Sequence, residues 1–141
     1  MLKNLTVNFD YKTELSSFEI HKFVSVLKKE LKFKLDFLEI LFVSKERIIE
    51  FNNLYLNHDY STDVISLSFG DGNEILSGQI FISIEDAAEN AKLFNVSHRE
   101  ELIRLVTHGV LHLVGYDDKS KKDKTKMKEV EDRLTKNLVN L

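Results

Sequence analysis

The stretch Ser97–Gly115, "SHREELIRLVTHGVLHLVG", decides how this chain is read. Leu102, Leu105, Val106, Val110, Leu111 and Leu113 cover more than one face of a 3.6-residue period. The spacing predicts a helix in the middle of the protein, not one lying on its surface. Ser97 suits the N-cap, with Glu100 three residues on to close a capping box. Gly115 suits a left-handed stop at the other end. The same helix carries His108 and His112. Four residues apart, they share a face, with Cβ atoms about 6 Å apart. Two imidazoles among leucines cost several kcal/mol if left without partners, so the pair asks for a polar companion.

Around this helix the pattern alternates between strand and helix. Leu5, Val7 and Phe9 repeat every second residue, as in a strand. Phe18, Phe23, Val24 and Leu27 place a helix at about 17–32. "FLEILFVS" (37–44) reads as a buried strand, and Ser44 as the N-cap of a helix containing Ile48, Ile49 and Phe51. "TDVISLSF" (62–69) and "GQIFISI" (78–84) read as strands joined into a hairpin by "GDGNEILS" (70–77). A helix at about 84–94 follows, with Glu85 and Asp86 favouring its N-terminus through the helix dipole. A last helix at about 121–137 puts Met127, Val130, Leu134 and Leu138 on one side. This order predicts one α+β domain over residues 1–141, a mixed sheet packed against helices.

Composition narrows the function. At 141 residues the chain has the length of one domain with a real core. No apolar run approaches the roughly 18 residues that cross a bilayer. The start, "MLKNLTVNFDYKTE", lacks the apolar centre of a signal peptide. A cytoplasmic protein with no membrane partner is expected, and a monomer. Without cysteine, disulfides and thiolate metal sites are excluded, and a metal site must use His, Asp and Glu. The net charge of −3 argues against a generally basic nucleic-acid surface. Lysines nonetheless crowd one segment, at Lys119, Lys121, Lys122, Lys124, Lys126 and Lys128. That run is either a solvated helix start or a patch that meets a phosphate backbone.

The chemistry centres on "THGVLHLVGYDD" (107–118). After Gly115 the chain can turn back and bring Asp118 to the ion that His108 and His112 would share. Two neutral imidazoles, one carboxylate and an open position make a catalytic zinc arrangement. Asp117 adjoins the proposed ligand and is the candidate base; its plainer reading is a loop cap. Asp63 reads as a turn cap, Ser66 as ordinary strand alternation or a cleft residue, and His58 as a surface histidine. His21 and His98 read as solvent-facing. His108, His112, Gly115 and Asp118 also fall on the His, His, Gly and third-ligand positions of the metzincin metalloprotease pattern. Gly109, however, stands where that pattern places its glutamate base.

At these residues the sequence resembles the YbeY family of bacterial endoribonucleases, or rRNA maturation factors. "HGVLHLVGYDD" matches the family pattern H-G-x-L-H-L-x-G-Y-D-H at every specified position but the last. "LYLNHDYSTDVISLSF" (54–69) is similar to the family's Y-R-x-x-D-x-P-T-D-V-L-S-F, and "SGQIFIS" (77–83) to its G-D-I-x-I-S. The resemblance implies an α+β fold related to zinc metallohydrolases. It implies a metal-dependent, single-strand-specific RNA hydrolase that trims the 3′ end of small-subunit rRNA and serves ribosome quality control. RNA and the small ribosomal subunit are the implied partners. One divalent metal is implied, held by His108, His112 and Asp118; His108 and His112 are the catalytic residues so implied, and Asp117 joins them only as the candidate base next to the ligand. Lys119, Lys121, Lys122 and Lys124 would then lie beside the site and hold RNA.

Three departures stand out. Asp118 replaces the family's third histidine; zinc still suits the site, while a carboxylate brings manganese or magnesium into range. Leu56 aligns with an arginine to which the family assigns a catalytic part. Gln79 stands where an aspartate is usual. Arg104 and Lys119 are the candidates for the missing cation. The competing readings are a metal-stabilised ribosome-binding protein without strong catalysis and, opposed by Gly109, a metalloprotease.

Overall fold

Among the described residues there are four strands and five helices: β1 (Leu5–Phe9), α1 (Ser17–Leu31), β2 (Lys34–Val43), α2 (Lys45–Tyr55), β3 (Val64–Ser68), β4 (Ile75–Ser83), α3 (Ile84–Phe94), α4 (His98–Leu113) and α5 (Lys121–Val139). The structure is a computed structural model that describes residues 1–57, 60–70 and 74–141. The sheet order is β1-β2-β4-β3. β1, β2 and β4 run parallel, and β3 closes the edge as the antiparallel partner of β4. This is the mixed sheet of an α+β domain, as the sequence predicts.

The sheet has two unlike faces. Leu38, Ile40, Phe42, Ile80 and Ile82 point into the main core with α1, α4 and α5. Leu41, Val43, Ile65 and Phe81 point the other way, under Ile48 and Phe51 of α2. α4 is the central helix, with Leu102, Ile103, Leu105, Val106, Val110 and Leu111 all at most 1% exposed. Burial on this scale, not helix propensity, is what stabilises it. On α5, Met127, Val130, Leu134 and Leu138 form the buried side.

Several boundaries differ from the sequence reading. β2 begins at Lys34 and β4 at Ile75, because Lys34 and Leu35 pair with Ile75 and Leu76 ahead of a register shift at Phe37. That pairing is long-range and leaves no mark on local periodicity. At α4 the Ser97 hydroxyl accepts the Glu100 N–H at 3.0 Å, one half of the expected box. The complete reciprocal box sits on α1, between Ser16 and Glu19. His21 is not solvent-facing. It is 8% exposed, and its Nδ1 accepts the Leu2 N–H at 3.1 Å. The apolar stripe of α1 is wide enough to take in position 21, and the N-terminal residues fold across it. Burial, then the nearby N-terminal charge, pushes the His21 pKa below its usual value. His98 is half-buried, with Nε2 3.2 Å from the Ile84 carbonyl oxygen. Among the described residues no helix is long and apolar enough to cross a membrane.

Candidate active site

Two glycines set the wall that carries the histidines. A Cβ at Gly109 would lie 2.7 Å from Ile80 Cγ2, so only glycine lets α4 approach β4 this closely. The approach also brings α4 against β3, where the Ser66 hydroxyl donates to the Gly109 carbonyl at 3.2 Å. A side chain at 109 would point into the sheet, so the position offers no base for a peptidase. Gly115 has φ 108° and ends the helix as expected. Its N–H reaches the His112 carbonyl at 3.1 Å, and the Tyr116 N–H reaches that of Leu111 at 3.0 Å. That pair of bonds is a Schellman motif. The same turn presents the Tyr116 carbonyl to His112 Nδ1 at 3.2 Å.

The two imidazoles face each other, Nε2 to Nε2, at 3.1 Å. Their rings meet edge to face with centroids 4.7 Å apart. His108 Nδ1 is hydrogen-bonded to Glu131 Oε1. A carbonyl and a carboxylate only accept, so each Nδ1 is the protonated nitrogen of its ring. Each Nε2 of the neutral rings is therefore a bare lone pair aimed at the other. Such a pair repels unless a proton or a cation lies between them. Two nitrogens bound at tetrahedral angles to one zinc ion sit roughly 3.3 Å apart, close to the spacing seen. Metal-binding histidines also commonly give their second N–H to a carboxylate or carbonyl. The two rings fit a metal.

They open into a cavity of about 480 Å³ lined by Asp63, Val64, Ser66, Ser68, His108, His112, Leu113 and Asp118. Asp118 thus shares the space, and its charge acts on His112. Burial, then the neighbouring His108, pushes the His112 pKa down, and Asp118 opposes them. Among the described residues, however, no three His, Asp or Glu side chains converge closely enough to hold an ion. Asp117 does not line the cavity; its Oδ1 accepts the Lys119 N–H at 3.2 Å, a local turn bond. Lys119, Lys121, Lys122 and Lys124 are all exposed, and Lys121 and Lys122 border a shallow groove with Lys126. His58 lies outside the described residues.

Behind His108 lies a polar network absent from the sequence reading. Glu131, 4% exposed, gives its second oxygen to Arg104 Nη1 at 3.0 Å. Arg104 is also gripped by Glu101, from Nε at 2.8 Å and Nη2 at 2.6 Å. Asn90 Nδ2 then donates to both Glu101 Oε2 and Asp63 Oδ2, each at 3.0 Å. Burial alone would raise the Glu131 carboxyl, but the bond to His108 and the Arg104 charge hold it below its usual range. One signal could have revealed Glu131. It is an acid on the apolar side of α5, four residues after Met127 and three before Leu134.

The family profile described as Endoribonuclease YbeY matches residues 2–139. The chain belongs to that family. An Endoribonuclease YbeY of Flavobacterium johnsoniae is 43% identical over 130 residues, 89% of this chain and 92% of that protein. Another, of Flavobacterium psychrophilum, is 41% identical over 133 residues, 94% of this chain and 92% of that protein. The solution structure of TM1509 from Thermotoga maritima superposes with TM-score 0.67 at 27% identity, covering 95% of this chain and 88% of that one.

The departures from the YbeY pattern now have places. Gln79 pairs across the sheet with Leu67, on the α2 side and away from the histidines. Its Nε2 donates to Glu39 Oε1 at 2.7 Å. The loss of an aspartate there therefore does not alter the cavity. Leu56 caps the end of α2 and is 39% exposed. Arg104 is not a free substitute for the family arginine. Its guanidinium is bound by Glu101 and Glu131, with Asp63 at 3.9 Å.

Proposed function

We propose that this chain is a metal-dependent, single-strand-specific endoribonuclease of the cytoplasm, acting on ribosomal RNA at the 3′ end of the small-subunit rRNA. The observation that carries the reading is the pair of Nε2 lone pairs 3.1 Å apart on the wall of an open cavity. His108 and His112 would hold one divalent ion, with Asp118 as third ligand from the same cavity; zinc fits the two imidazoles best. Such an ion supplies Lewis-acid polarisation of a phosphoryl oxygen and makes a water more acidic.

The chain's own groups do the rest. With Asp118 given to the ion, Asp63 is the other carboxylate lining the cavity, and it would take the proton from an attacking water. Ser66 and Ser68 lie on the same wall, where their hydroxyls can contact the RNA backbone. The exposed lysines at the start of α5 attract the phosphates. Asp117, tied to the Lys119 amide, shapes the turn that leads to Asp118.

A single-stranded oligoribonucleotide assay tests this. Protein reconstituted with zinc should cut the strand and leave a duplex intact, and His112→Ala should lose the activity with its fold unchanged. Cleavage at the wild-type rate in His112→Ala would remove the histidines from the mechanism. The second reading is a weakly catalytic, metal-stabilised protein that binds the small ribosomal subunit. Leu56 in the arginine's place and the committed state of Arg104 favour it. Restoring the cation with Leu56→Arg separates the two. A large rise in cleavage supports the weak-catalyst reading, and no change supports a site that works without that group.

A further inference from the structure

We infer that Glu131 and Arg104 are positioning residues. Glu131 fixes His108 in the tautomer that leaves Nε2 bare, and Arg104, anchored by Glu101, fixes Glu131. The inference rests on the metal reading of the histidine pair and adds residues that do not touch the ion.

The bonding leaves little freedom. Glu131 has one oxygen on His108 Nδ1 and the other on Arg104 Nη1, so its carboxylate cannot rotate without breaking a charge-assisted bond. Glu101, 1% exposed, meets Arg104 with both oxygens. That planar fork cannot be reproduced by a lysine. Asn90 links Glu101 to Asp63. One network thus joins α3, α4, α5 and the approach to β3, and ties together His108 and Asp63, which line the same cavity.

Its charge points the same way. Asp63, Glu101 and Glu131 are three carboxylates against one guanidinium, and Asp118 adds a fourth in the same cavity, so acidic groups outnumber the cation around the histidines. Buried or half-buried charge of one sign is costly without a counter-charge. A divalent cation between His108 and His112 would offset part of that excess. Arg104 therefore serves the ion through Glu131 and is not a phosphate-binding group.

The test uses Glu131→Gln, which keeps the size but loses the charge, and Arg104→Lys, which keeps the charge but loses the fork. Circular dichroism establishes that each is folded, and either folded variant carries the test. Zinc affinity is measured at fixed pH by competition with a chelator. Side-chain 15N spectra of the metal-free protein read the His108 tautomer. The expected result is zinc binding roughly 10–100-fold weaker, with His108 moving from Nδ1–H towards Nε2–H. Wild-type zinc affinity with an unchanged tautomer overturns the inference. If the wild type itself takes up no zinc, the metal reading fails, and the tautomer shift in the variants alone decides the positioning role.

Discussion

The two sides of the cavity are built differently. On the α4 side the Nδ1 of each histidine is held, that of His108 by Glu131 and that of His112 by the Tyr116 carbonyl, and the helix itself by Gly109 seated on Ile80. On the Asp118 side the chain is exposed from Asp118 through Lys126, and the bonds there are local ones of turn and helix. The first side is fixed by folding, at the cost of burying charge. The second is held by no long-range bond among the described residues. Preorganised donors on one side and an adaptable carboxylate on the other suit a site that completes its ligand set only when an ion binds. The contrast separates the residues that build the site from those that respond to it.

The sharpest break of that contrast is on the fixed side. His108→Ala with His112→Ala should abolish bound metal and RNA cleavage while leaving the helix content unchanged; retained cleavage would show that the fixed wall is not the reactive one. Next comes the packing beneath it. Gly109→Val forces a branched side chain onto Ile80 and should destabilise the fold by about 1–3 kcal/mol, read by urea unfolding. An unchanged midpoint would mean that α4 can rise off the sheet without loss. On the adaptable side, Lys121→Gln, Lys122→Gln and Lys124→Gln together should weaken RNA binding at low salt. The slope of log affinity against log salt should fall by about 2, at roughly 0.7 per phosphate contact on a single strand. An unchanged slope would return these lysines to the role of a solvated helix start.

The smallest effect lies away from the cavity, at His21. Its pKa is lowered in the fold, so the neutral ring is the favoured form. Its contribution is complete above the unfolded value and is lost as pH falls below that value towards the folded one. His21→Gln should therefore flatten the decline in stability between neutral and mildly acidic pH. An unaltered pH profile of the unfolding midpoint would show that His21 protonation is not linked to folding.

Much of this was legible in the sequence, for local reasons. The period of α4, the turn at Gly115 and the strand alternation are short-range signals, and each corresponds to an observed element. So is the i, i+4 spacing that sets His108 against His112. What was not legible depends on partners distant in sequence. β2 and β4 extend because they pair with each other. His21 is buried because Leu2 folds back onto it. Arg104 reads as an available cation until Glu101, three residues earlier, and Glu131, twenty-seven later, are seen to claim it. Gln79 reads as a defect in the site until the register turns it to the opposite face. Glu131 shows the limit most clearly: an acid on an apolar stripe says that a buried partner exists but not that the partner is a histidine.

The most direct test of the central claim is elemental analysis of the purified protein beside its His108→Ala/His112→Ala double variant, both reconstituted with zinc and, separately, with manganese. The account expects about one transition-metal ion per chain in the wild type and none in the variant. No metal in either protein, or equal metal in both, would contradict it.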